Sequence, residues 1–378
     1  MRSTARGRAP TTILRNDNGK FTQVATLPEP TGARSVGLFD YDGDGHLDLF
    51  IGEDRFAGGS SVLLRGHGDF TFDDVTESAG IGRGVVGMGV GTGDLNGDGR
   101  PDLFVGGSNR LFLNQGDGRF APSSASPPAW PTFGTEDDPA GVAEGDLNGD
   151  GRPDLVIGEH YNSTLDFHKL VPIRLYLNEP DGSGGLKLQD VTAEAGLVGF
   201  PTKSPHVEIA DLDSDGWPDI VTTAAGQNGQ PIVFHNLGHA GNTPAFEPSS
   251  PPGPAQYWVT GAVFDADHDG RLDLVTAEWV PTLPTRFWRN TGEVGHWLSV
   301  AAPNGTTVAV SVPNVGSTGT RLATATVGVS TGYSAGPSDR VDLGLGAADS
   351  ATVSITRPGA RAVDVKSVRA DRLLVCRG

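Results

Sequence analysis

Cysteines and long apolar runs are scarce in this sequence, and each scarcity excludes a class of protein. The 378 residues include one cysteine, Cys376, so the chain cannot form an internal disulfide. No stretch approaches the roughly eighteen consecutive apolar residues of a membrane-spanning helix. Residues 1–8 are basic but lack the apolar run of a signal peptide. The sequence therefore predicts a cytoplasmic protein without a membrane span.

Basic residues are also few. Lysine and arginine number 28 against 46 acidic residues, which gives a formal net charge of −18. This balance gives no reason to expect nucleic acid as a partner, because such binding depends on basic contacts to phosphates. Gly-x-Ser-x-Gly, Walker, dinucleotide-binding and His-Glu-x-x-His motifs are missing as well. Neither redox catalysis nor zinc-dependent hydrolysis is therefore indicated.

Glycine and proline, in contrast, are abundant. The chain has 55 glycines and 27 prolines, while aromatic residues make up 7% of it. Short strands joined by many tight turns need this composition, whereas helix interiors are weakened by both residues. The composition thus predicts an all-β protein.

A nine-residue pattern, Asp-x-Asp/Asn-x-Asp-Gly-x-x-Asp, occurs five times, and we name its copies loops 1 to 5. Oxygen-bearing side chains occupy positions 1, 3, 5 and 9, and the glycine at position 6 permits a sharp turn. With the carbonyl of position 7, they form an oxygen shell that suits Ca²⁺. The alternative is an acidic glycine turn that binds no ion. The predicted ligands are Asp40, Asp42, Asp44, His46 and Asp48 in loop 1; Asp94, Asn96, Asp98, Arg100 and Asp102 in loop 2; Asp146, Asn148, Asp150, Arg152 and Asp154 in loop 3; Asp211, Asp213, Asp215, Trp217 and Asp219 in loop 4; and Asp265, Asp267, Asp269, Arg271 and Asp273 in loop 5.

The acidity of the chain is concentrated in these loops. They hold 18 acidic side chains, as many as the formal charge excess of −18. A short apolar strand follows each loop directly, for example residues 103–105 after loop 2. An EF-hand would instead place its loop between helices and its last ligand, a glutamate, at position 12. The loops are therefore predicted to bind about five Ca²⁺ ions between β-strands.

The spacing of the loops predicts the architecture. They begin at residues 40, 94, 146, 211 and 265, so they repeat every 52 to 65 residues. A period near fifty indicates a propeller or a solenoid. A second motif, two apolar strands around a glycine-rich turn, alternates with the loops and is clearest at residues 113–120. A strand, a loop, a second strand and a hairpin together make a four-stranded propeller blade.

The two ends of the chain decide the predicted number of blades. Residues 11–30 supply one hairpin, which is half a blade, and residues 296–378 contain several further alternating stretches. If those strands complete two more blades, the propeller has seven. The predicted division is 11–295 for the repeat blades and 296–378 for a β segment that completes the propeller. A separate small C-terminal β domain beside a smaller ring is the alternative.

The loops resemble the FG-GAP/VCBS repeats of integrin α-subunit propellers and of the cartilage acidic protein family. Residues 295–298, with 332–333, 341–346 and 353–359, are similar to the ASPIC/UnbV segment that ends members of that family. The resemblance implies an integrin-α-like propeller with metal loops at the bottom and functional loops on the opposite, upper face. UnbV-type relatives are associated with bacterial natural-product clusters, so the resemblance also points to biosynthesis.

One blade departs from the others in its first strand. Four blades carry small residues at two positions that are predicted to face the central funnel, whereas the fourth has His206 and Glu208, which share a face. With Tyr257 opposite, they form a candidate catalytic acid–base group. The alternative is a His–Glu pair that only plugs the channel. The upper rim supplies the candidate ligand-binding residues Arg34, Glu53, Arg55, Glu159, His160, Tyr161, Trp258, Glu278 and Trp279.

Two functions are compatible with these features. The first is a calcium-stabilised propeller that binds a small molecule or protein partner at its upper face or central funnel. The second is a non-redox tailoring enzyme of bacterial natural-product biosynthesis, a cyclase, alkylating enzyme or lyase that uses the funnel pair. The His–Glu pair favours the enzyme, and the absence of a self-sufficient catalytic motif favours the binding protein.

Overall fold

The structure, a computed structural model, describes most of the chain. The described residues are 10–30, 33–53, 59–125, 139–159, 173–182, 185–197, 206–223, 232–250, 258–278, 282–313, 320–328, 340–357 and 360–376. Within these ranges every regular element is a β-strand. The described residues accordingly contain no helix that is long and apolar enough to cross a membrane.

The first described element is a hairpin of two paired antiparallel strands, β1 (Pro10–Asp17) and β2 (Lys20–Pro30). Its turn places Asn18 and Gly19 at positive φ angles of 53° and 88°, which asparagine and glycine tolerate. Ile13 and Leu27 pack against the sheet that follows. The hairpin is thus attached to the next sheet through one apolar side.

Five sheets then have the strand order of propeller blades. Each pairs successive strands antiparallel in chain order, and each predicted loop joins the first strand of a blade to the second. The strands are β3 (Ala33–Phe39), β4 (Asp48–Glu53), β5 (Val62–Gly66) and β6 (Phe72–Asp74) in blade 1; β7 (Val90–Gly91), β8 (Leu103–Val105), β9 (Arg110–Asn114) and β10 (Phe120–Pro122) in blade 2; β11 (Pro139–Gly145), β12 (Asp154–Glu159), β13 (Arg174–Pro180) and β14 (Leu186–Asp190) in blade 3; β15 (Val207–Ala210), β16 (Asp219–Thr222), β17 (Val233–Ala240) and β18 (Thr243–Ser249) in blade 4; and β19 (Trp258–Phe264), β20 (Asp273–Glu278) and β21 (Arg286–Trp288) in blade 5.

The hydrophobic core lies between successive blades. Phe50 of blade 1 packs with Leu103 of blade 2, and Phe104 of blade 2 packs with Leu155 of blade 3. Similar clusters join blade 3 to blade 4 and blade 4 to blade 5. The second strand of a blade reads as an unbroken apolar run because the sheet is covered on both faces. The predicted all-β propeller of repeated four-stranded sheets is confirmed.

The C-terminal strands pair differently. They form one sheet in the order β25-β22-β28 and a second in the order β24-β23-β26-β27, and the two share a core that includes Leu298, Val310, Leu343 and Val353. Within the first sheet, β22 and β28 run parallel. We name residues 295–376 the C-terminal unit. Its strands are β22 (His296–Ala301), β23 (Thr307–Pro313), β24 (Thr320–Thr326), β25 (Arg340–Gly346), β26 (Ser350–Thr356), β27 (Val363–Arg369) and β28 (Arg372–Val375).

This pairing bears on the predicted number of blades. Blade strands run antiparallel in chain order, whereas the C-terminal unit has crossovers and one parallel pair. Among the described strands, β1 and β2 pair only with each other. The seven-blade count and a C-terminal segment that completes the ring remain predictions, and the observed pairing does not support them. It fits the alternative of a separate β unit better.

Candidate metal centres

The backbone of each loop is shaped by two positions with positive φ. Position 6 is glycine in every loop, with φ between 83° and 91°. Position 4 is also left-handed: it is glycine in loops 1 to 3 but Ser214 and His268 in loops 4 and 5, with φ of 54° and 61°. Side chains are rarely tolerated in this conformation. The second left-handed position is a feature that the sequence pattern, which leaves position 4 open, does not predict.

The aspartate at position 1 organises the turn. In loop 2, Asp94 Oδ1 accepts hydrogen bonds from the amides of Gly97 (2.8 Å) and Asp98 (3.0 Å), and its Oδ2 accepts one from Gly99 (2.7 Å). Loops 1 and 3 repeat all three bonds. The carboxylate therefore holds the loop closed through its backbone amides.

The aspartate at position 9 ties the loop to the third strand of its own blade. Asp102 Oδ2 accepts from the amide of Leu95 (3.1 Å) and its Oδ1 from the amide of Asn114 (2.9 Å). The equivalent pair of bonds is present in all five loops. These aspartates are at most 2% exposed, and burial raises the pKa of Asp102 to about 7. Position 9 thus has a structural role besides the predicted role as a metal ligand.

Three loops bring together three carboxylates whose oxygens lie within 4.8 Å of one another. They are Asp40, Asp42 and Asp48 in loop 1; Asp211, Asp213 and Asp215 in loop 4; and Asp265, Asp267 and Asp269 in loop 5. Loops 2 and 3 have asparagine at position 3, so an amide oxygen takes the place of one carboxylate. Such oxygen clusters could hold a hard divalent cation.

Among the described residues of the five loops, loop 4 alone has a buried carboxylate oxygen without a hydrogen-bond partner. Asp211 is 5% exposed, and its Oδ1 has no hydrogen-bond partner within the part of the chain that the structure describes. Burial, and then the charges of Asp215, Asp219 and Asp213, hold the pKa of Asp211 well above its usual range. The other oxygen, Oδ2, accepts from the amide of Gly216 (2.8 Å). A buried carboxylate with one unpartnered oxygen is costly unless a cation or a proton compensates it. The residues of loop 4 therefore fit a bound divalent cation.

Arginine side chains pair with carboxylates in four of the five loops. The loop motif alone did not predict these pairs. At position 7, Arg100, Arg152 and Arg271 each bond Oδ2 of the aspartate at position 5. Arg65, on the third strand of blade 1, pairs with Asp42 (2.7 Å), and Arg289, directly after the third strand of blade 5, pairs with Asp267. The amide of Arg271, then the charges of Arg271 and Arg289, lowers the pKa of Asp269. The recurrence of arginine at position 7 in the sequence could have indicated these pairs.

In loop 4 a histidine takes the place of the third-strand arginine. His235 Nδ1 lies 3.0 Å from Asp219 Oδ1, and its Nε2 lies 3.5 Å from Asp213 Oδ2. Trp217, at position 7, stacks edge-on against His239 and does not contribute a charge. Loop 4 thus has less built-in positive charge beside its carboxylates than the loops that carry arginine.

Asparagines join loops 1 to 4 each to the blade that follows. Asn114 Nδ2 donates to the carbonyl of Tyr41 in loop 1 (2.8 Å), and Asn178 Nδ2 donates to that of Leu95 in loop 2 (2.6 Å). Asn236 and Asn290 repeat the contact to loops 3 and 4. The acceptor is always position 2 of the preceding loop. Loop geometry and blade packing are therefore connected by buried hydrogen bonds.

The predicted catalytic pair lies between blades. His206 is 1% exposed, and its Nε2 lies 3.5 Å from Glu208 Oε2. Glu208 also accepts from the amide of Val263 in blade 5, at 3.2 Å and 3.3 Å. At the equivalent position in blade 1, a β-carbon on Gly37 would meet Thr92 of blade 2.

These contacts bear on the expected orientation of the pair. The two positions on the first strand face the next blade, because the sheets stack face to face around the propeller. The catalytic role of His206 and Glu208 remains a prediction that the contacts do not support. Tyr257, the third candidate, lies outside the described residues.

The candidate rim residues are partly described. Glu53, Glu159 and Glu278 occupy equivalent positions at the ends of β4, β12 and β20; the first two are buried and the third is half-buried. Arg34 is half-buried on β3, and Trp258 is described only as the first residue of β19. Arg55, His160, Tyr161 and Trp279 lie outside the described residues. The three glutamates occupy the same position at the end of the second strand of their blades, as predicted. This equivalence does not indicate a ligand role.

The repeats match a known family. Residues 4–51, 40–105, 106–157 and 211–276 match the model of the FG-GAP-like repeat, and every loop lies within a matched segment. Together these segments cover more than half of the chain. The chain therefore belongs to the FG-GAP repeat family, whose blades the fold displays.

The family resemblance seen in the motifs extends to named relatives. The chain is 28% identical to mouse cartilage acidic protein 1 over 313 residues, which are 76% of this chain and 45% of that protein. The human protein is 28% identical over 311 residues, which are 76% of this chain and 44% of the relative. The predicted kinship with the cartilage acidic protein family is confirmed. The chain spans about half the length of these relatives.

Two solved structures are similar in outline. An exotype rhamnogalacturonan lyase, YesX, has a TM-score of 0.40 and 14% identity, with 89% of this chain and 66% of that chain covered. The biofilm matrix protein Bap1 of V. cholerae has a TM-score of 0.36 and 15% identity, with 90% and 68% covered. TM-scores this low do not indicate a shared function.

Proposed function

We propose that this protein is a calcium-stabilised propeller that serves as a binding module. The single observation that carries the proposal is the buried, unpartnered Oδ1 of Asp211 within the Asp211, Asp213 and Asp215 cluster of loop 4. It is supported by four further loops with the same oxygen pattern. Ca²⁺ accepts six to eight oxygen ligands in flexible geometry, and a loop of this kind can supply them from side chains and one carbonyl.

The residues that would hold Ca²⁺ are the side chains at positions 1, 3, 5 and 9 and the carbonyl of position 7 in each loop. The ion would supply positive charge and cross-link the loop, and it would have no role in chemistry. Since the loops join the first and second strands of every blade, occupied loops would stabilise the blade stack. We infer about five ions, one for each loop.

Calcium content and thermal stability test this proposal. Protein purified without chelator should contain calcium by elemental analysis, and EGTA should lower Tm by a large margin, because a ligand that binds only the folded state stabilises it by mass action. Magnesium added after EGTA serves as the control for ionic strength and for divalent charge. A protein without calcium, with a Tm that neither EGTA nor added Ca²⁺ moves, contradicts the proposal.

The partner would be a small molecule or a protein that binds the upper face, away from the loops. The contacts of His206 and Glu208 give no support to the alternative, a tailoring enzyme that uses an open funnel. Replacing His206 or Glu208 by glutamine should therefore lower Tm rather than remove a catalytic step, which a thermal melt checks.

A further inference from the structure

The C-terminal unit lies directly on loop 4. The amide of Gly295 donates to the carbonyl of Asp213 (2.7 Å), and the amide of Gly346 donates to the carbonyl of Ser214 (2.9 Å). Both acceptors belong to the loop itself, at positions 3 and 4. Two strands of the unit, β22 and β25, therefore reach the loop through backbone hydrogen bonds that depend on the conformation of the loop.

The contact is close enough to require glycine in the C-terminal unit. A β-carbon on Gly344 would lie 1.9 Å from Asp211 Oδ2 and 2.7 Å from Ser214 Cα, and one on Gly295 would lie 2.3 Å from the Ser214 carbonyl oxygen. Such distances are shorter than any real contact, so a side chain at either place would separate the two parts. The glycines therefore allow the C-terminal unit to approach loop 4 this closely.

The same unit also touches loop 5. The guanidinium of Arg340 donates to the carbonyl of Asp265 at 3.4 Å, and a β-carbon on Gly270 would lie 1.9 Å from Trp297 Nε1. Leu322 approaches loop 3, because a β-carbon on Gly149 would lie 3.5 Å from its carbonyl oxygen. The unit thus rests on three neighbouring loops, with its tightest contact on loop 4.

Burial under the C-terminal unit makes loop 4 different from the exposed loops. Ser214 and Gly216, at positions 4 and 6, are buried, whereas positions 4 to 6 of loops 1 and 2 are exposed. At loop 4 the unit offers glycine amides, which are neutral, and it covers carboxylates that include the unpartnered Oδ1 of Asp211. A cation in the loop would compensate the charge and fix the two carbonyls that accept the hydrogen bonds.

We propose that metal binding in loop 4 and docking of the C-terminal unit are coupled, so that Ca²⁺ in this loop holds the unit on the propeller. The inference rests on the proposed calcium binding and adds a specific mechanical consequence to it. Coupling is reciprocal: an ion that favours docking must bind more tightly when the unit is docked. Loop 2, which has the same pattern in an exposed setting, should not show this coupling.

Hydrogen exchange of the full chain, followed by mass spectrometry, tests the docking. In Ca²⁺, peptides that contain Gly295 and Gly346 should be protected, and EGTA should speed their exchange by roughly tenfold or more, in the range of typical coupling. Peptides from β26, inside the unit, should stay protected. Asp215→Asn, at position 5 of loop 4, should reproduce the effect of EGTA in Ca²⁺, and the matched Asp98→Asn in loop 2 should not.

A second variant tests the reverse direction without changing a ligand. Gly344→Ala should raise, by roughly tenfold, the Ca²⁺ concentration at which the loop 4 peptide becomes protected, while the loop 2 peptide keeps its midpoint. Ala347→Ser, at a nearby exposed residue, is the control. Unchanged exchange at Gly295 and Gly346 in EGTA, in a protein whose Tm falls, would overturn the coupling and leave calcium stabilisation standing. An equal response of Asp98→Asn and Asp215→Asn would also overturn it, and a Tm indifferent to calcium would remove both proposals.

Discussion

Loops 1 and 4 share one sequence pattern but lie in different surroundings. In loop 1, positions 4 to 6 are exposed, and Arg65 pairs with Asp42 and Asp44. In loop 4 the corresponding positions are largely buried under the C-terminal unit, and a histidine replaces the arginine. Arginine balances Asp42 and Asp44 of loop 1, whereas Asp211 of loop 4 keeps a buried oxygen without a partner among the described residues.

The difference shows that one motif can serve two purposes. An exposed loop closes the end of its own blade, and a cation there would stabilise one blade. A covered loop also provides a surface for another part of the chain, so the state of that loop affects both parts. Charge repulsion is screened at the exposed loop and is stronger at the buried one, because the local dielectric constant is lower.

The largest effect is expected at position 9, because its two hydrogen bonds are the same in exposed and covered loops. Asp154→Ala removes both acceptors of a buried position 9 and leaves the amides of Leu147 and Asn178 unsatisfied. Each such amide costs about 1–3 kcal/mol, so the free energy of unfolding should fall by roughly 2–6 kcal/mol in EGTA, and by more in Ca²⁺, where a proposed metal ligand is lost as well. Denaturant titration measures it. A loss seen only in Ca²⁺ would make Asp154 a metal ligand and nothing more.

A smaller effect should separate the two kinds of loop. Asp215→Asn in loop 4 and Asp44→Asn in loop 1 both remove one charge at position 5 and keep an oxygen. In Ca²⁺ the loop 4 variant should lose about 2 kcal/mol of stability and the loop 1 variant about half as much, since of these two loops it is loop 4 that supports the C-terminal unit. Thermal melts in Ca²⁺ and in EGTA compare them. Equal losses would remove the distinction between exposed and covered loops.

The contacts between blades should matter less than the loops themselves. Asn178→Ala removes the buried hydrogen bonds to the carbonyls of Leu95 and Pro153. We expect a loss of about 1–2 kcal/mol that is independent of calcium. Gln115→Ala, at an exposed residue, is the control, and its unfolding curve should match that of the unaltered protein. If both variants unfold alike, the asparagine contacts add nothing to the blade stack.

A further effect, which depends on pH and not on calcium, concerns the boundary between blades 2 and 3. Glu144 accepts from the amide of Gly93 (2.6 Å), and its Oε1 is buried without a partner among the described residues. Burial raises the pKa of Glu144 to about 8 from the usual 4.5. The folded protein therefore holds a proton that the unfolded chain releases, and stability should fall as pH rises from about 4.5 to 8. Glu144→Gln should flatten this decline and raise Tm by a few degrees at pH 8, but not at pH 5. A Tm difference that is constant across pH would contradict the raised pKa.

Several features were readable from the sequence because they depend on local residue order. The oxygen pattern with glycine at position 6 identified the five loops, and their spacing identified blades. Each loop needs only nine consecutive residues to form its turn, so no distant contact is required to recognise it. The family kinship followed from the same residues and is confirmed.

Other features depend on residues far apart in the chain. The sequence showed that His206 and Glu208 share a face but not that blade 5 covers that face, because the stacking of sheets brings Val263 to Glu208 across 55 positions. The pairing of the C-terminal strands was likewise not readable from the sequence, since alternating apolar residues fit a blade and a separate β unit equally well. The tertiary structure shows the crossovers and the shared core. What the sequence determined was the repeated loop, which is local; which loops are covered was decided by the tertiary structure, because docking depends on surfaces that only the folded chain brings together.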